Sequence, residues 1–311
     1  MIAAPAWAER PALERQAALG PLPETWRSAE VIDLWRGTPP NGGFHARPLP
    51  PTMPPGFFRN VARPTLHVFK PATGNGRGVL LIPGGAYEFV VGTHEGAATA
   101  EALGRLGYSV FVLVYRLPGE GWRTRWNVPL QDAQRAMRVV RANAQRFGIS
   151  EHRIVALGYS AGGHLAASLA TAYAEPVYPA RDRTDAFSAR PSAAGLIYPV
   201  ITLRPPHTHA QSAAALLGPA PSAELVAMRS PELHVTDETP PVFLAHALDD
   251  TAVPVENTIM MLEAMRARGR PVEAHLFEEG GHGFGLGAPN APAGQWLTLF
   301  DAWLARALSD E

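Results

Sequence analysis

Cysteine is absent from all 311 residues, which removes disulfides, thiolate metal sites and thiol nucleophiles. Lysine is nearly absent: Lys70 stands alone among 27 basic residues. A GC-rich coding bias explains that without any arginine-specific function. An excess of one charge sign is also missing, because 27 basic and 28 acidic side chains leave a net charge of -1. Such a surface carries no electrostatic footprint for nucleic acid or an anionic membrane, so neither partner is expected. No apolar run nears the ~20 residues a membrane helix requires, and the best, Val110 to Val114, is strand-sized. What remains is 46% hydrophobic and 18% charged. That supports a sizeable core and excludes a wholly disordered chain.

Proline is distributed unevenly, with 12 of the 31 before residue 65. Pairs such as Pro39-Pro40, Pro50-Pro51 and Pro54-Pro55 forbid a regular helix or central strand. Residues 1–60 therefore read as an arm laid over a main domain of residues 61–311, anchored by Trp7, Trp26, Leu34 and Trp35. Ala3 to Ala8 has the small-residue look of a signal cleavage region. Either it is the stump of a trimmed export signal, giving a periplasmic or secreted protein, or it belongs to a cytoplasmic Ala/Pro-rich arm.

From about residue 65 strands alternate with helices. Strands are expected at Leu66–Lys70, Gly78–Ile82, Ser109–Val114, Arg153–Leu157, Ala193–Ile197, Val242–Ala247 and Val272–Phe277. Helices are expected at His94–Leu106, 129–147, from Ala161, at Val255–Ala267 and at Ala293–Leu308, with short helices in the proline-rich stretch before 235. The alternation predicts an α/β domain, a mostly parallel sheet covered on both faces.

Gly158-Tyr159-Ser160-Ala161-Gly162 carries the chemistry. A G-x-S-x-G string occurs by chance in roughly one chain in ten of this length. Here it follows an apolar strand and opens an Ala-rich helix, the position of a nucleophile elbow. The alternative is an ordinary Ser cap on a glycine turn. Serine needs an adjacent base, and the expected order is Ser, acid, His. His282, in Gly280-Gly281-His282-Gly283-Phe284-Gly285, follows a strand and precedes the last helix. Asp249 and Asp250 both follow strand 242–247, and Asp250 is the first choice, with one of the pair capping the loop. Strand Gly78–Ile82 runs into Pro83-Gly84-Gly85-Ala86-Tyr87, where the N–H groups of Gly85 and Ala86, joined by that of Ala161, are candidate oxyanion donors.

These residues resemble the carbohydrate acetylesterases of the α/β-hydrolase superfamily, close to the acetylxylan esterase-like group. The resemblance runs from about Val31 to the C-terminus. It rests on Leu34-Trp35, Pro83–Tyr87, Tyr115-Arg116-Leu117-Pro118, Gly158–Leu165, Asp250-Thr251-Ala252-Val253-Pro254 and Gly281–Phe284. It implies an α/β-hydrolase fold, Asp250 rather than Asp249 as the acid, no cofactor and no metal. The implied substrate is a small acetylated xylo-oligosaccharide or another short-chain ester. General short-chain carboxylesterases, feruloyl esterases and serine peptidases of the same fold are the enzymatic alternatives. The non-enzyme alternative, a catalytically silent ligand-binding relative, usually has a damaged triad, whereas Ser160, Asp250 and His282 are all present here. Tyr87, Trp122 and Trp126 are candidate sugar contacts, although core or lid packing is the commoner fate of such aromatics. His94-Glu95 lacks the second His of an H-E-x-x-H site, His207-Thr208-His209 has no third metal ligand, and His164 reads as a packed helix residue. The Gly283–Ala288 string fits G-x-G-x-x-A, but too little chain follows for a dinucleotide unit. Nothing here sets the oligomeric state.

Overall fold

The apolar runs at 78–82, 109–114 and 154–159 become fully buried strands, each residue facing one of two covered faces. The computed structural model describes residues 21–309. Ala3 to Ala8 and Trp7 lie outside the described residues. In chain order the strands are β1 Glu30–Asp33, β2 Phe57–Phe58, β3 Thr65–Phe69, β4 Gly78–Ile82 and β5 Val90–Val91, then β6 Ser109–Val114, β7 Ile154–Tyr159, β8 Ala194–Ile197, β9 Val242–Ala247 and β10 Val272–Phe277. The α-helices are α1 Glu24–Arg27, α2 Thr99–Arg105, α3 Val128–Ala142, α4 Ser160–Ala172, α5 Ala210–Leu217, α6 Ala223–Met228, α7 Glu256–Ala267 and α8 Trp296–Ala307. None of the described helices is long and apolar enough to cross a membrane.

Eight strands form one sheet in the order β1-β3-β6-β4-β7-β8-β9-β10. Only β3 runs against its neighbours, and from β6 onward every pairing is parallel. Side chains alternate between two cores. Leu80, Ile82, Phe111 and Ile154 pack with helices α3, α4 and α7, whereas Val79, Leu81, Val110 and Val155 pack with α2 and α8.

The N-terminal segment differs from the expected arm. Residues Glu30–Asp33 pair antiparallel with β3 and form the sheet's edge, and Phe57–Phe58 pair with Val90–Val91. An edge strand needs a partner on one side only, so four residues between proline clusters suffice. Trp26, Leu34 and Trp35 are buried as anchors. The helix expected at His94–Leu106 begins instead as a π-helix over Gly92–Ala98 and becomes α-helical at Thr99. The helix expected over 129–147 ends at Ala142, where a 3₁₀ turn, Gln145–Phe147, carries the chain to a left-handed Gly148.

One buried ion pair ties the segment to the domain. Arg116 Nη2 lies 2.7 Å from Asp132 Oδ1, both side chains being fully enclosed. Arg116 also donates to the Pro40 carbonyl, and Trp35 Nε1 donates to the same Asp132 oxygen at 2.8 Å. Removing one member leaves the other charge buried without its counter-charge. Asp132→Ala is expected to cost about 3–5 kcal/mol in urea unfolding. Asp33→Ala, which breaks only the exposed pair with Arg63, should cost less than about 1 kcal/mol. Equal costs would contradict this assignment.

Candidate active site

Strand β7 ends at Tyr159 and helix α4 begins one residue later, so the chain reverses at Ser160 with φ +50°. A left-handed serine is strained by about 1–3 kcal/mol and persists only where the surroundings impose it. Here they do. A Cβ at Gly158 would lie 2.2 Å from the Gly162 carbonyl oxygen, and one at Gly162 would lie 2.1 Å from that of Ile82. Only glycine lets the helix start slide beneath the end of β4.

Ser160 Oγ lies 2.9 Å from His282 Nε2, and His282 Nδ1 donates to Asp250 Oδ2 at 2.7 Å. The three predicted residues thus meet in one line. Asp250 is nearly saturated: Oδ1 accepts from the Ala252 and Val253 N–H groups, and Oδ2 also accepts from His246 Nε2. Burial by itself would push its carboxyl up, but the hydrogen bonds from His246 and His282 outweigh that. The net effect holds it well below the usual carboxylate range. Asp249 faces elsewhere, its Oδ1 accepting from Gly281 N–H and so holding the loop that presents His282.

On the other side of Ser160, Ala86 and Tyr87 both adopt positive φ, +53° and +59°. Among the described residues the N–H groups of Gly85, Ala86 and Ala161 have no acceptor. Gly84 N–H is taken by Glu95 Oε2 at 2.6 Å. Glu95 is buried, and its other oxygen accepts from the Tyr198 hydroxyl, which in turn accepts from Gly285 N–H. One carboxylate therefore links the loop before Ser160 to the loop bearing His282, and Tyr198 packs edge-on against the His282 ring.

Two of the three aromatic candidates are not presented to a ligand. Tyr87 is buried with its hydroxyl donating to His164 Nδ1 at 2.7 Å. His164 Nε2 then donates to the Arg229 carbonyl. Trp122 is buried beneath the Arg116 guanidinium, 4.8 Å from its ring centre. Apolar and cation–π contacts inside the fold outcompete exposure for both. Trp126 is half-buried. Sequence reasoning missed Glu95, Tyr198 and His246 as site residues. His246 lies in the same strand-end string as Asp250, and its Nε2–H serves both Asp250 and the Val253 carbonyl.

The strand order and the strained serine are those of an α/β-hydrolase, with Ser160, His282 and Asp250 grouped at the carboxyl ends of the parallel strands. Within that class the chain belongs to the BD-FAE family, whose model matches residues 66–265. It is 36% identical over 205 residues to endo-1,4-beta-xylanase B of Butyrivibrio fibrisolvens, covering 66% of this chain and 32% of that protein. It is 33% identical over 240 residues to the acetylxylan esterase of Xylanibacter ruminicola, covering 76% of this chain and 47% of that one. The chain therefore spans half or less of these two curated relatives. A solved structure, the acetyl ester-xyloside bifunctional hydrolase of Caldicellulosiruptor lactoaceticus, superimposes with a TM-score of 0.75 at 33% identity. That match covers 89% of this chain and 96% of that one.

Burial has a consequence for stability. It lowers the pKa of His67, His164 and His209 from 6.5 to about 4 in each case. As pH falls from 6.5, the unfolded chain binds these protons while the folded chain does not until about pH 4. Stability is then lost across that window. The urea midpoint should drop between pH 7 and pH 5, and His164→Gln should make that drop shallower. A midpoint unchanged over this range would contradict the assignment.

Proposed function

We propose that this protein is a serine esterase that removes acetyl groups from acetylated xylan or xylo-oligosaccharide through an acyl-enzyme. The observation that carries the reading is the continuous line from Ser160 through His282 to Asp250 at a strained elbow, beside three N–H groups without acceptors. Relatives named acetylxylan esterase, xylanase and acetyl ester-xyloside hydrolase support the substrate class.

In the first half, Ser160 Oγ attacks the ester carbonyl carbon and its proton passes to His282 Nε2. Negative charge on the carbonyl oxygen is met by the N–H groups of Gly85, Ala86 and Ala161, the last at the N-terminus of helix α4. The intermediate collapses, the sugar oxygen takes the proton from His282, and an acetyl ester remains on Ser160. Water then attacks that ester, giving a proton to His282; the second intermediate collapses as His282 returns that proton to Ser160 Oγ, and acetic acid leaves, ionising to acetate. Asp250 keeps Nδ1 protonated and stabilises the imidazolium. Its second histidine partner, His246, fixes the carboxylate so that it cannot swing away. Trp126 is the aromatic candidate for a sugar contact.

Hydrolysis of 4-nitrophenyl acetate, butyrate and octanoate, with acetate release from acetylated xylo-oligosaccharide alongside, tests the reading. Acetate preference, release from the sugar, and loss of both by at least about 10³-fold in Ser160→Ala are expected. Activity surviving that change would overturn the mechanism. A preference for longer chains with the sugar untouched would transfer the substrate to a general carboxylesterase. Asp250→Asn should lower kcat by about 10⁴-fold through the wrong imidazole tautomer. Asp249→Ala, which loosens one loop bond, should cost far less. Reversed sizes would make Asp249 the acid.

A further inference from the structure

The loop that passes Ser160 at Gly84 and the start of helix α5, beside His282, both reach one cavity. Glu88 follows Tyr87 directly. Gln211 stands two residues after His209, whose ring stacks on His282 with centroids 6.5 Å apart. Glu88 and Gln211 both line an open cavity of about 380 Å³, together with Arg47, Gly119 and Arg125.

Its walls carry more positive than negative charge. Glu88 accepts from Arg59 Nη2 at 2.9 Å and from Arg47 Nη1 at 3.3 Å, so one carboxylate answers two guanidiniums. Arg125 adds a third. Among the described residues its one hydrogen bond runs from Nη2 to the Ala215 carbonyl, and its Nε is buried without a partner. Glu120, which also holds the Asn60 and Val61 N–H groups, offsets part of the Arg59 charge, so three guanidiniums face two carboxylates.

Arg47 and Arg125 converge above Gly119. A Cβ there would lie 2.8 Å from Arg47 Nη1 and 3.8 Å from Arg125 Nη2, so glycine leaves the space between them clear. Burial first, and then the charge of Arg47, lower the pKa of the Arg125 guanidinium, with Glu88 offsetting part of this. Arg47 Nη1 is held by Glu88 and Arg125 Nη2 by the Ala215 carbonyl, so the two guanidiniums are fixed in place around an open, polar recess. Their remaining Nη hydrogens are donors of the kind a carboxylate accepts.

We propose that this cavity is a subsite for a carboxylate on the sugar side of the ester, which makes the preferred substrate an acidic, uronic-acid-bearing acetylated oligosaccharide. The assignment to the sugar side rests on the esterase reading above. An acetyl group has two carbons and cannot fill a further cavity, so whatever reaches these arginines belongs to the alcohol half.

Calorimetric binding tests it without requiring turnover. Two unacetylated xylo-oligosaccharides of equal length, one with a uronic-acid branch, are titrated at low salt into wild type, Arg47→Gln and Arg125→Gln. The acidic ligand should bind about fivefold tighter to wild type, the worth of one partly exposed charge pair. That ratio should approach one in each variant and in high salt. The neutral ligand is the internal reference for folding: each variant should keep wild-type affinity for it, as expected for Arg47, whose side chain is 44% exposed. Equal affinities in wild type, or a ratio surviving both substitutions, overturn the proposal. Acetate release is measured in parallel on the acetylated forms. A binding ratio without release supports the subsite and removes the esterase reading; release without a ratio does the reverse.

Discussion

The approach of Gly162 to the end of β4 is the contact on which the site depends. With 2.1 Å between a would-be Cβ and the Ile82 carbonyl oxygen, no side chain fits, and helix α4 begins directly under the strand that leads to the Pro83–Tyr87 loop. The turn then forces Ser160 into the left-handed region. Gly84 also has no room for a side chain, since a Cβ there would lie 2.9 Å from that of Ser160. Proposed nucleophile and proposed oxyanion donors are thus positioned by backbone packing rather than by flexible side chains. Such rigidity is what electrostatic stabilisation requires, because donors already in place cost no reorganisation during reaction.

Around that contact lies a shell of buried polar groups that partner one another. Glu95 joins Gly84 to Tyr198 and, through the tyrosine hydroxyl, to Gly285. His164 joins Tyr87 to the Arg229 carbonyl. Thr258, His246 and Asp250 form a third chain behind His282. Each chain ends on a loop that carries a site residue. In a poorly solvated interior an unpaired member would be costly, so these networks restrain the loops by the same hydrogen bonds that satisfy the buried atoms.

Much of this was legible in the sequence where the signal is local. Glycines at 158 and 162 mark the elbow because a close approach excludes every other residue. The apolar run before it marks the strand, and Asp250 and His282 follow strands at the expected chain order. Asp249 against Asp250 could not be decided by position, as both leave the same strand end; a hydrogen bond to Gly281 N–H separates them. Glu95, Tyr198 and His164 carry no local signal, since their partners are distant in the chain. The π-helical turn over Gly92–Ala98, which buries Glu95, runs straight into helix α2 and has no residue signal that separates it from the helix. The edge strand at 30–33 is four residues long and half exposed, too short for its period to stand out. Tyr87 and Trp122 look like ligand contacts in a loop until the fold shows their burial.

Covalent trapping reaches the central claim most directly. The protein is incubated with an activated phosphonate ester, its intact mass is measured, and the labelled peptide is mapped. One adduct per chain on Ser160, formed in step with loss of activity and absent from Ser160→Ala, is the predicted result. Full inactivation with the label on another residue, or undiminished turnover with Ser160 fully labelled, would contradict the account.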